Sequence, residues 1–392
     1  MALASRPRLS PTVLVLGLTS LFNDIGSEMI FPLLPVFVVS LGASPTFLGL
    51  VEGVADATAS LLKLVAGYLS DRLGRHKPLV LFGYGLATVV RPLVALATAP
   101  WQVLTVRVAD RVGKGIRGAP RDAMIAGAVP VEHAGRAFGF HRAMDHAGAV
   151  IGPVVATVLL AAGIPLRSVF LIAIVPGALA IVALFGARDT PAASDPKEDS
   201  ATEVVFSSSL RRYFAVLALF CLGNSSDAFL LLRARELGVS VKLLPLLWSA
   251  LHVSKMISAY IGGGWADRYP KVRVVVAGWL VYGATYLAFG FATSPSQVWA
   301  LFVVYGCYYG LSEPAEKALV NELAPAHARG RAYGAYNFIV GISAVPAGVL
   351  TGWLWRAVGP RGALTTGAGI AVGSSCALIL WARAEERRLS RA

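Results

Sequence analysis

The sequence predicts an all-α integral membrane protein of twelve transmembrane helices, arranged as two pseudo-symmetric six-helix bundles. Three observations predict it: an apolar composition, a succession of long apolar runs, and an internal repeat. Of the 392 residues, 56% are hydrophobic and only 15% are charged, whereas soluble domains average about 25% charged residues. So few charges cannot coat the surface of a water-soluble globule of this length.

The apolar runs divide the chain into candidate spans. A helix needs roughly 20 apolar residues to cross a bilayer. The predicted spans cover about 11–40, 46–70, 78–98, 101–128, 136–162, 167–187, 213–236, 243–266, 273–293, 296–322, 331–356 and 362–383. The first run follows a basic start with no small-residue cleavage site after it, so we expect an uncleaved first helix rather than a signal peptide.

The charge balance fits a membrane protein better than a nucleic-acid binder. The formal net charge is +13, but the basic residues are spread between apolar runs and form no single patch. If the N-terminus is inside, most Lys and Arg residues fall in inner loops, as in cytoplasmic loops of membrane proteins. We therefore expect a multi-pass protein of the cell membrane with both termini cytoplasmic, with lipid as a partner and without nucleic acid.

One polar segment and one repeat organise the spans. Residues 188–212 are rich in Pro, Ser and acidic residues and predict a flexible cytoplasmic linker. The linker would separate an N-terminal bundle, residues 1–187, from a C-terminal bundle, residues 213–392. Segments 41–44, 67–72 and 135–139 recur as 237–240, 263–268 and 330–334. A parallel repeat of this kind is typical of two-bundle transporters with a site between the bundles.

The turn between spans 2 and 3 carries a recognisable motif. Residues 67–77, GYLSDRLGRHK, resemble the loop signature of the major facilitator superfamily, G-x-x-x-D-R-x-G-R-R, and residues 263–271 form a degenerate copy. The resemblance covers the whole chain and is closest to poorly characterised prokaryotic members near the drug-efflux branch. It implies a secondary transporter that works by alternating access, and it does not identify a substrate.

The same loops are candidate gates. A carboxylate at Asp71 can meet the positive end of a helix near Gly330, and Asp267 can do so near Gly135. Such contacts would close the cytoplasmic side in one state; alternatively, these charges only fix the topology. The predicted gating residues are Gly67, Asp71, Arg72, Gly74, Arg75, Asp267 and Arg268.

Charges inside spans are the candidates for ion coupling. A charge at the bilayer centre costs roughly 2.5–3.5 kcal/mol on insertion scales, so intramembrane charges suggest function. The N-terminal half is the richer one, and its predicted proton-coupling residues are Asp24, Glu28, Glu52, Asp56 and Asp145. The alternative is that these groups form internal ion pairs that only lock helices together.

The resemblance also implies a substrate cavity lined by spans 1, 4, 7 and 10. The predicted cavity residues are Asn23, Arg111, Lys114, Asn224, Asp227, Tyr305, Tyr309 and Glu313. Arg111 aligns with the superfamily pattern R-x-x-Q-G-x-G, but Lys114 stands at the Gln position and Arg117 precedes Gly118. This departure favours an anionic substrate.

Two further motifs have alternative interpretations. Gly148, Gly152 and Pro153 match the G-x-x-x-G-P pattern of superfamily antiporters, or serve ordinary helix packing. His252 and Met256 lie one turn apart, as in copper-importing members, but span 7 lacks the Met pair of those members. A polar helix contact is the preferred interpretation, and we predict no metal site. Cys221, Cys307 and Cys376 are far apart and indicate neither a disulfide nor a zinc site.

Taken together, the sequence predicts a monomeric, proton-coupled exporter (antiporter) of a small organic molecule. The alternatives are a proton-coupled uptake symporter of a small, anionic metabolite, a metal transporter, or a non-transporting membrane receptor. The sequence lacks a Walker A loop, so ATP-driven pumping is not supported. We expect neither enzymatic activity nor a cofactor, and the expected partners are the substrate and protons.

Overall fold

Helices account for nearly all of the described chain, and they follow the predicted spans. The computed structural model describes residues 10–73, 75–130, 134–189, 207–324 and 329–389. In that part of the chain the helical stretches are α1 Pro11–Ser40, α2 Pro45–Leu73, α3 Lys77–Leu96, α4 Pro100–Gly127, α5 Ala134–Ala161, α6 Leu166–Phe185, α7 Ser208–Glu236, α8 Leu244–Arg268, α9 Lys271–Phe291, α10 Pro295–Leu323, α11 Arg329–Ala357 and α12 Gly359–Leu389. The predicted fold class, twelve helices in two bundles, is confirmed.

The helix bounds differ from the predicted ones near the centre of the chain. Residues 190–206 of the predicted linker lie outside the described residues. Residues 208–212 belong to α7, because the Ser207 hydroxyl accepts a hydrogen bond from the Leu210 amide (3.2 Å) and caps the helix. The sequence prediction began this helix at its first apolar residue and missed the polar first turn.

Composition separates the helices into two groups. Eight of the stretches are long and apolar enough to cross a membrane by length and hydropathy alone. The other four, α2, α4, α8 and α10, carry polar side chains that include Asp56, Arg111, Lys255 and Glu316. The helices that are least typical of lipid-exposed spans therefore contain most of the residues that the sequence analysis selected.

Several stretches are interrupted. A 3-10 turn at Phe31–Leu33 interrupts α1, and α3 ends in the 3-10 segment Arg91–Leu96; each contains a proline, which cannot donate to the helical hydrogen-bond ladder. The largest interruption lies in α7, where residues 224–227 separate Ser208–Gly223 from Ala228–Glu236. Irregular backbone at membrane depth is tolerated only where protein or a polar cavity surrounds it.

Small residues bring the two bundles together along α2 and α11. A Cβ atom added to Gly49 would overlap the Gly348 backbone, and one added to Gly53 would lie 2.6 Å from the Ala344 oxygen. Only residues without bulky side chains allow backbones to approach so closely. On the opposite side of the molecule, the Ser249 hydroxyl of α8 donates to the Val150 carbonyl of α5 (2.8 Å).

These contacts define two ends of the molecule. We name as the turn end the one that carries the α1–α2 and α7–α8 turns, residues 41–44 and 237–240. The terminal end is the one where α1 begins and α12 ends. The close α2–α11 contacts lie in the half nearer the turn end, whereas Lys63 and Lys317 are exposed nearer the terminal end. Among the described residues, the space between the bundles is therefore closed at the turn end and open toward the terminal end.

Candidate functional site: a polar cavity between the bundles

A cavity of about 420 Å³ lies between the bundles. Both halves of the chain contribute to its walls. Its polar lining residues are Glu28, Glu52, Asp56, Ser60, Lys63, Arg111, Lys114, Asn224, Ser225, Ser226, Asp227 and His252, and its aromatic ones are Phe31, Trp248 and Tyr309. A concave space with convergent polar groups and an aromatic wall is the usual form of a small-molecule site.

The interrupted part of α7 supplies one wall of this cavity. The Asp227 carboxylate accepts hydrogen bonds from the hydroxyls of Tyr305 (2.7 Å) and Tyr309 (2.9 Å), and Lys255 Nζ lies 3.2 Å from it. Lys255 Nζ also lies 3.6 Å from the centre of the Tyr309 ring, a cation–π contact. Asp227 is thus held by two neutral donors and one cation.

Tyrosine hydroxyls satisfy the carbonyls that the interruption frees. Tyr282 donates to the Gly223 carbonyl (2.6 Å) and Tyr286 to the Ser225 carbonyl (3.3 Å). The Asn224 side-chain amide donates to the Tyr308 hydroxyl (2.8 Å). Because buried backbone polar groups need partners, these tyrosines allow α7 to leave helical geometry at membrane depth.

The N-terminal bundle contains a different kind of network, built from ion pairs. Arg107 of α4 pairs with Glu52 of α2 (2.7 Å), and Arg91 of α3 pairs with Asp110 of α4 (2.9 Å). Arg91 also donates to the Asn23 carbonyl of α1 (3.1 Å). The side chains of these five residues are all buried. The network connects four helices of one bundle, and Glu52 and Asn23, both selected from the sequence, are members of it.

A looser group of charges faces the cavity from the same bundle. Arg111 Nε lies 3.8 Å from Asp56, whose side chain is 51% exposed. Lys114 lies one turn further along α4, and Lys63 of α2 lies close to it across the α2–α4 contact. These groups border the open part of the cavity, unlike the buried network behind them.

One carboxylate of α1 contacts the other bundle directly. Glu28 Oε2 accepts a hydrogen bond from Trp248 Nε1 of α8 (2.7 Å), and the Phe31 ring packs on the Trp248 ring with centroids 4.9 Å apart. This contact lies on the turn-end side of the cavity. Any motion that opens the turn end by separating α1 from α8 must break it.

The structure brings together some of the residues selected from the sequence and separates others. Those that line the main cavity are Glu28, Glu52, Asp56, Arg111, Lys114, Asn224, Asp227 and Tyr309. Glu313 lines an adjoining cavity of about 200 Å³ and pairs with Lys317 (2.6 Å). The described linings do not include Asn23, Asp24, Asp145 or Tyr305. Asp145 accepts a short hydrogen bond from the Ser20 hydroxyl, within the N-terminal bundle.

The predicted gating residues are described only in part. Gly74, the surroundings of Gly67, and the side chains of Asp71, Arg72 and Asp267 lie outside what the structure describes. Arg75 and Arg268 are exposed. The gating contacts with Gly330 and Gly135 therefore stay a prediction.

The G-x-x-x-G-P motif of α5 lies against α1. A Cβ atom added to Gly148 would lie 2.6 Å from the Leu21 oxygen, and one added to Gly152 would lie 2.5 Å from the Ile25 oxygen. Pro153 is inside the helix. The motif thus permits close packing within one bundle, next to Asp24, whose Cβ lies 2.8 Å from the added atom at Gly148.

His252 and Met256 do not face the same surroundings. His252 lines the cavity and its ring makes an edge contact with Trp248, whereas the Met256 side chain is 45% exposed. Among the described residues no group of three or more His, Cys, Asp or Glu side chains could hold a metal ion.

Sequence reasoning missed one buried carboxylate. Glu316 of α10 is only 6% exposed, and it accepts hydrogen bonds from Trp279 Nε1 (2.8 Å) and from the Tyr336 hydroxyl (2.7 Å). Glu316 lies one helical turn from Glu313 and lines the same adjoining cavity, but no motif in the sequence distinguished it. A signal existed in the aromatic residues of α9 and α11, but only helix packing shows that they converge on Glu316.

The fold and its central cavity define the class of protein: a two-bundle membrane transporter with its site between the halves. The sequence model of the Major Facilitator Superfamily matches residues 16–345 and 214–392. The chain belongs to this superfamily.

Relatives and solved structures support the same assignment. The chain is 31% identical to an uncharacterised MFS-type transporter of Methanocaldococcus jannaschii, over 95% of each protein. It is 24% identical to the multidrug resistance protein MdtH of Salmonella newport, over 84% of this chain and 83% of that protein. The nucleoside transporter NupG superimposes with a TM-score of 0.83 at 14% identity, over 94% of this chain and 99% of that one. An inward-facing, occupied bacterial homologue of the lysosomal transporter Spinster gives 0.77 at 16% identity, over 97% and 98%.

Proposed function

We propose that this transporter exports a small organic molecule in exchange for protons, with Asp24 and Glu28 of α1 as the coupling groups. The single observation that carries the proposal is the cavity, which both bundles line and whose walls include Glu28; Asp24 lies one helical turn before Glu28 on α1. Carboxylates in such a position are costly unless they are paired or functional.

The geometry of the five predicted coupling residues favours these two. Glu52 is buried in an ion pair with Arg107. Among the described side chains, no cation lies within 4.0 Å of the Asp24 or Glu28 carboxylates. Their hydrogen-bond donors are neutral: Asn23 Nδ2 for Asp24 (2.8 Å) and Trp248 Nε1 for Glu28. A carboxylate without a cation takes up a proton at a smaller electrostatic cost than an ion-paired one.

Glu28 gives a route from protonation to conformational change. Its hydrogen bond to Trp248 crosses from the N-terminal to the C-terminal bundle at the closed end of the cavity. Protonation weakens an acceptor that bonds better when charged, so the two protonation states bind α8 with different strength. A difference of this kind is what shifts a two-state equilibrium.

The direction and orientation of transport are proposed on separate grounds. A multidrug resistance protein is among the relatives, which supports export. The concentration of basic residues in the predicted inner loops supports a cell membrane location with cytoplasmic termini; the cavity would then be open to the cytoplasm. The loops that contain Asp71 and Asp267 would close it when the bundles rock, and we propose that one chain suffices for the cycle.

Everted membrane vesicles test the proposal. Vesicles that contain the protein are acidified inside and supplied with a panel of organic acids, amines, nucleosides and dyes, and release of protons is followed by acridine orange fluorescence. We expect at least one compound class to release protons, because an antiporter exchanges the two. Glu28→Gln and Asp24→Asn should abolish the release, while the exposed Glu322→Gln should leave it unchanged. Proton release with no compound, or full activity in both variants, contradicts the proposal.

A further inference from the structure

Three cations lie next to each other on one wall of the cavity. Arg111 and Lys114 are one helical turn apart on α4, so their side chains share a face. The Lys63 stem lies over Gly118, one further turn along: its Cγ and Cε atoms are 3.7 and 3.9 Å from where a Cβ of residue 118 would be. The three side chains therefore follow one another down the wall toward the terminal end.

Glycines in α4 create this arrangement. A Cβ atom added to Gly115 would lie 2.6 Å from Leu62 Cβ and 3.1 Å from the Ala59 oxygen. Only a residue without a side chain permits α2 to pass so close to α4. This contact brings Lys63 of α2 to the part of α4 that carries Lys114. Two like charges held near each other cost free energy unless an anion binds between them.

The carboxylates of the cavity have other partners. Glu52 pairs with Arg107, and Asp227 pairs with Lys255. Asp56 approaches Arg111 to 3.8 Å, and Asp24 lies within electrostatic reach of Lys114. Among the described side chains, no carboxylate oxygen lies within 4.0 Å of Nζ of Lys63 or Lys114. Both amino groups are exposed to the cavity side and are available to a ligand.

The wider surroundings leave this wall positive. The charged groups that face Lys114 are Arg111, Lys63, Asp24 and Asp56. Those that face Lys63 are Arg121, Asp122, Arg111 and Lys317. Counted over the wall itself, the three cations Lys63, Arg111 and Lys114 face two carboxylates, Asp24 and Asp56. A cleft with an excess of one sign concentrates ligands of the opposite sign.

We propose that Lys63, Arg111 and Lys114 form an anion-binding subsite, and that the substrate is a small organic anion with an apolar, flat body. Its carboxylate or phosphate ester would bind the three cations, and its body would pack on the aromatic residues that line the same cavity, Phe31, Trp248 and Tyr309. This inference rests on the proposed function, because it assigns a substrate class to the cavity of that transporter.

A charge series on a constant ring tests the subsite. Purified protein in phosphatidylcholine nanodiscs is titrated calorimetrically with 2-naphthoate, with neutral 2-naphthamide and with the cation 2-naphthylmethylammonium. We expect naphthoate to bind at least tenfold more tightly than the other two. Lys114→Gln and Lys63→Gln should each weaken naphthoate binding about tenfold, the usual size of a hydrogen bond to a charged group. Lys242→Gln, a matched change in the α7–α8 turn, should have no effect.

Every other outcome counts against the subsite. Equal affinity for the amide or the ammonium overturns it, as does naphthoate binding that neither lysine substitution weakens. A second titration in nanodiscs that contain phosphatidylglycerol distinguishes a lipid headgroup from a soluble anion as the ligand. If naphthoate does not bind, and the melting temperature of the protein rises only when phosphatidylglycerol is present, the cations bind lipid. Failure of the proposed function looks different. In that case the vesicle assay shows no proton release with any compound. The naphthoate titration does not depend on transport, so it can still detect binding at the subsite.

Discussion

The two bundles share one fold but hold their buried carboxylates in opposite ways. In the N-terminal bundle, Glu52 and Asp110 are paired with arginines. In the C-terminal bundle, the donors to Glu316 among the described residues are the neutral groups of Trp279 and Tyr336, and Asp227 combines two tyrosines with one lysine.

The apolar cores of the two bundles also differ, in the number of buried clusters. The C-terminal bundle has one continuous buried cluster, which includes stacked rings such as Phe220 and Trp279, 4.2 Å apart. The buried apolar residues of the N-terminal bundle form two clusters, one toward each end. The charge network that contains Arg91 and Arg107 lies between these two clusters in sequence along α3 and α4.

The comparison indicates different roles for the same residue type. An ion pair in a low-dielectric interior requires both partners, since the loss of one leaves an uncompensated charge. A carboxylate held by neutral donors tolerates neutralisation, because its neighbours carry no charge to be stranded. Three substitutions test this contrast. A transporter that contains both kinds of site needs some carboxylates that stay ion-paired and others that tolerate neutralisation.

The largest effect is expected in the N-terminal network. Glu52→Gln leaves Arg107 buried, with Asp110 at 4.0 Å as its remaining ion-pair partner among the described side chains, and we expect a loss of about 3–5 kcal/mol of folding free energy. Helical circular dichroism against denaturant in mixed micelles measures it. The double variant Glu52→Gln, Arg107→Met removes both charges and should recover most of the loss. No difference between the single and double variants would show that the pair is not coupled.

A smaller effect is expected at the interrupted helix. Lys255→Met removes the cation from Asp227 but leaves the hydroxyls of Tyr305 and Tyr309, so we expect a loss of about 2 kcal/mol. The same unfolding measurement applies. Lys271→Met is the control, because Lys271 forms a surface ion pair with Glu322, and such pairs contribute little. A loss as large as that of Glu52→Gln would mean that the hydrogen bonds from Tyr305 and Tyr309 do not stabilise the Asp227 carboxylate.

The smallest effect is expected at Glu316. Glu316→Gln keeps one carbonyl oxygen for Trp279 Nε1, and the Tyr336 hydroxyl can accept from the new amide, so the free energy of unfolding should change by less than about 1 kcal/mol. The informative quantity is the loss of unfolding free energy in Glu316→Gln divided by the loss in Glu52→Gln. The two substitutions make the same chemical change in different bundles. Equal losses in the two variants would refute the distinction between the bundles.

The sequence identified the membrane helices because hydropathy over about 20 residues is a local property. It also selected Asp227 and Arg111 as candidates for the substrate cavity and Glu28 as a coupling candidate, and the structure places all three in the lining of one cavity. It could not separate them from Asn23, which lies in the buried network outside the cavity lining, and it could not show that Glu52 is ion-paired to Arg107. A charged residue in a span looks the same in sequence whether its partner is a neighbouring helix or a ligand.

What the sequence alone determined is the class: an apolar, duplicated chain with a superfamily loop motif must bury its backbone in membrane helices. What only the tertiary structure decided is the pairing of charges. Glu52 pairs with Arg107, Glu28 accepts a hydrogen bond from Trp248, and the Lys63 stem lies over Gly118 because of how α1, α2, α4 and α8 cross and rotate. Those angles are set by glycine contacts between helices distant in sequence, such as Gly115 with Ala59 and Gly49 with Gly348. No local pattern in the chain records which glycine will face which helix.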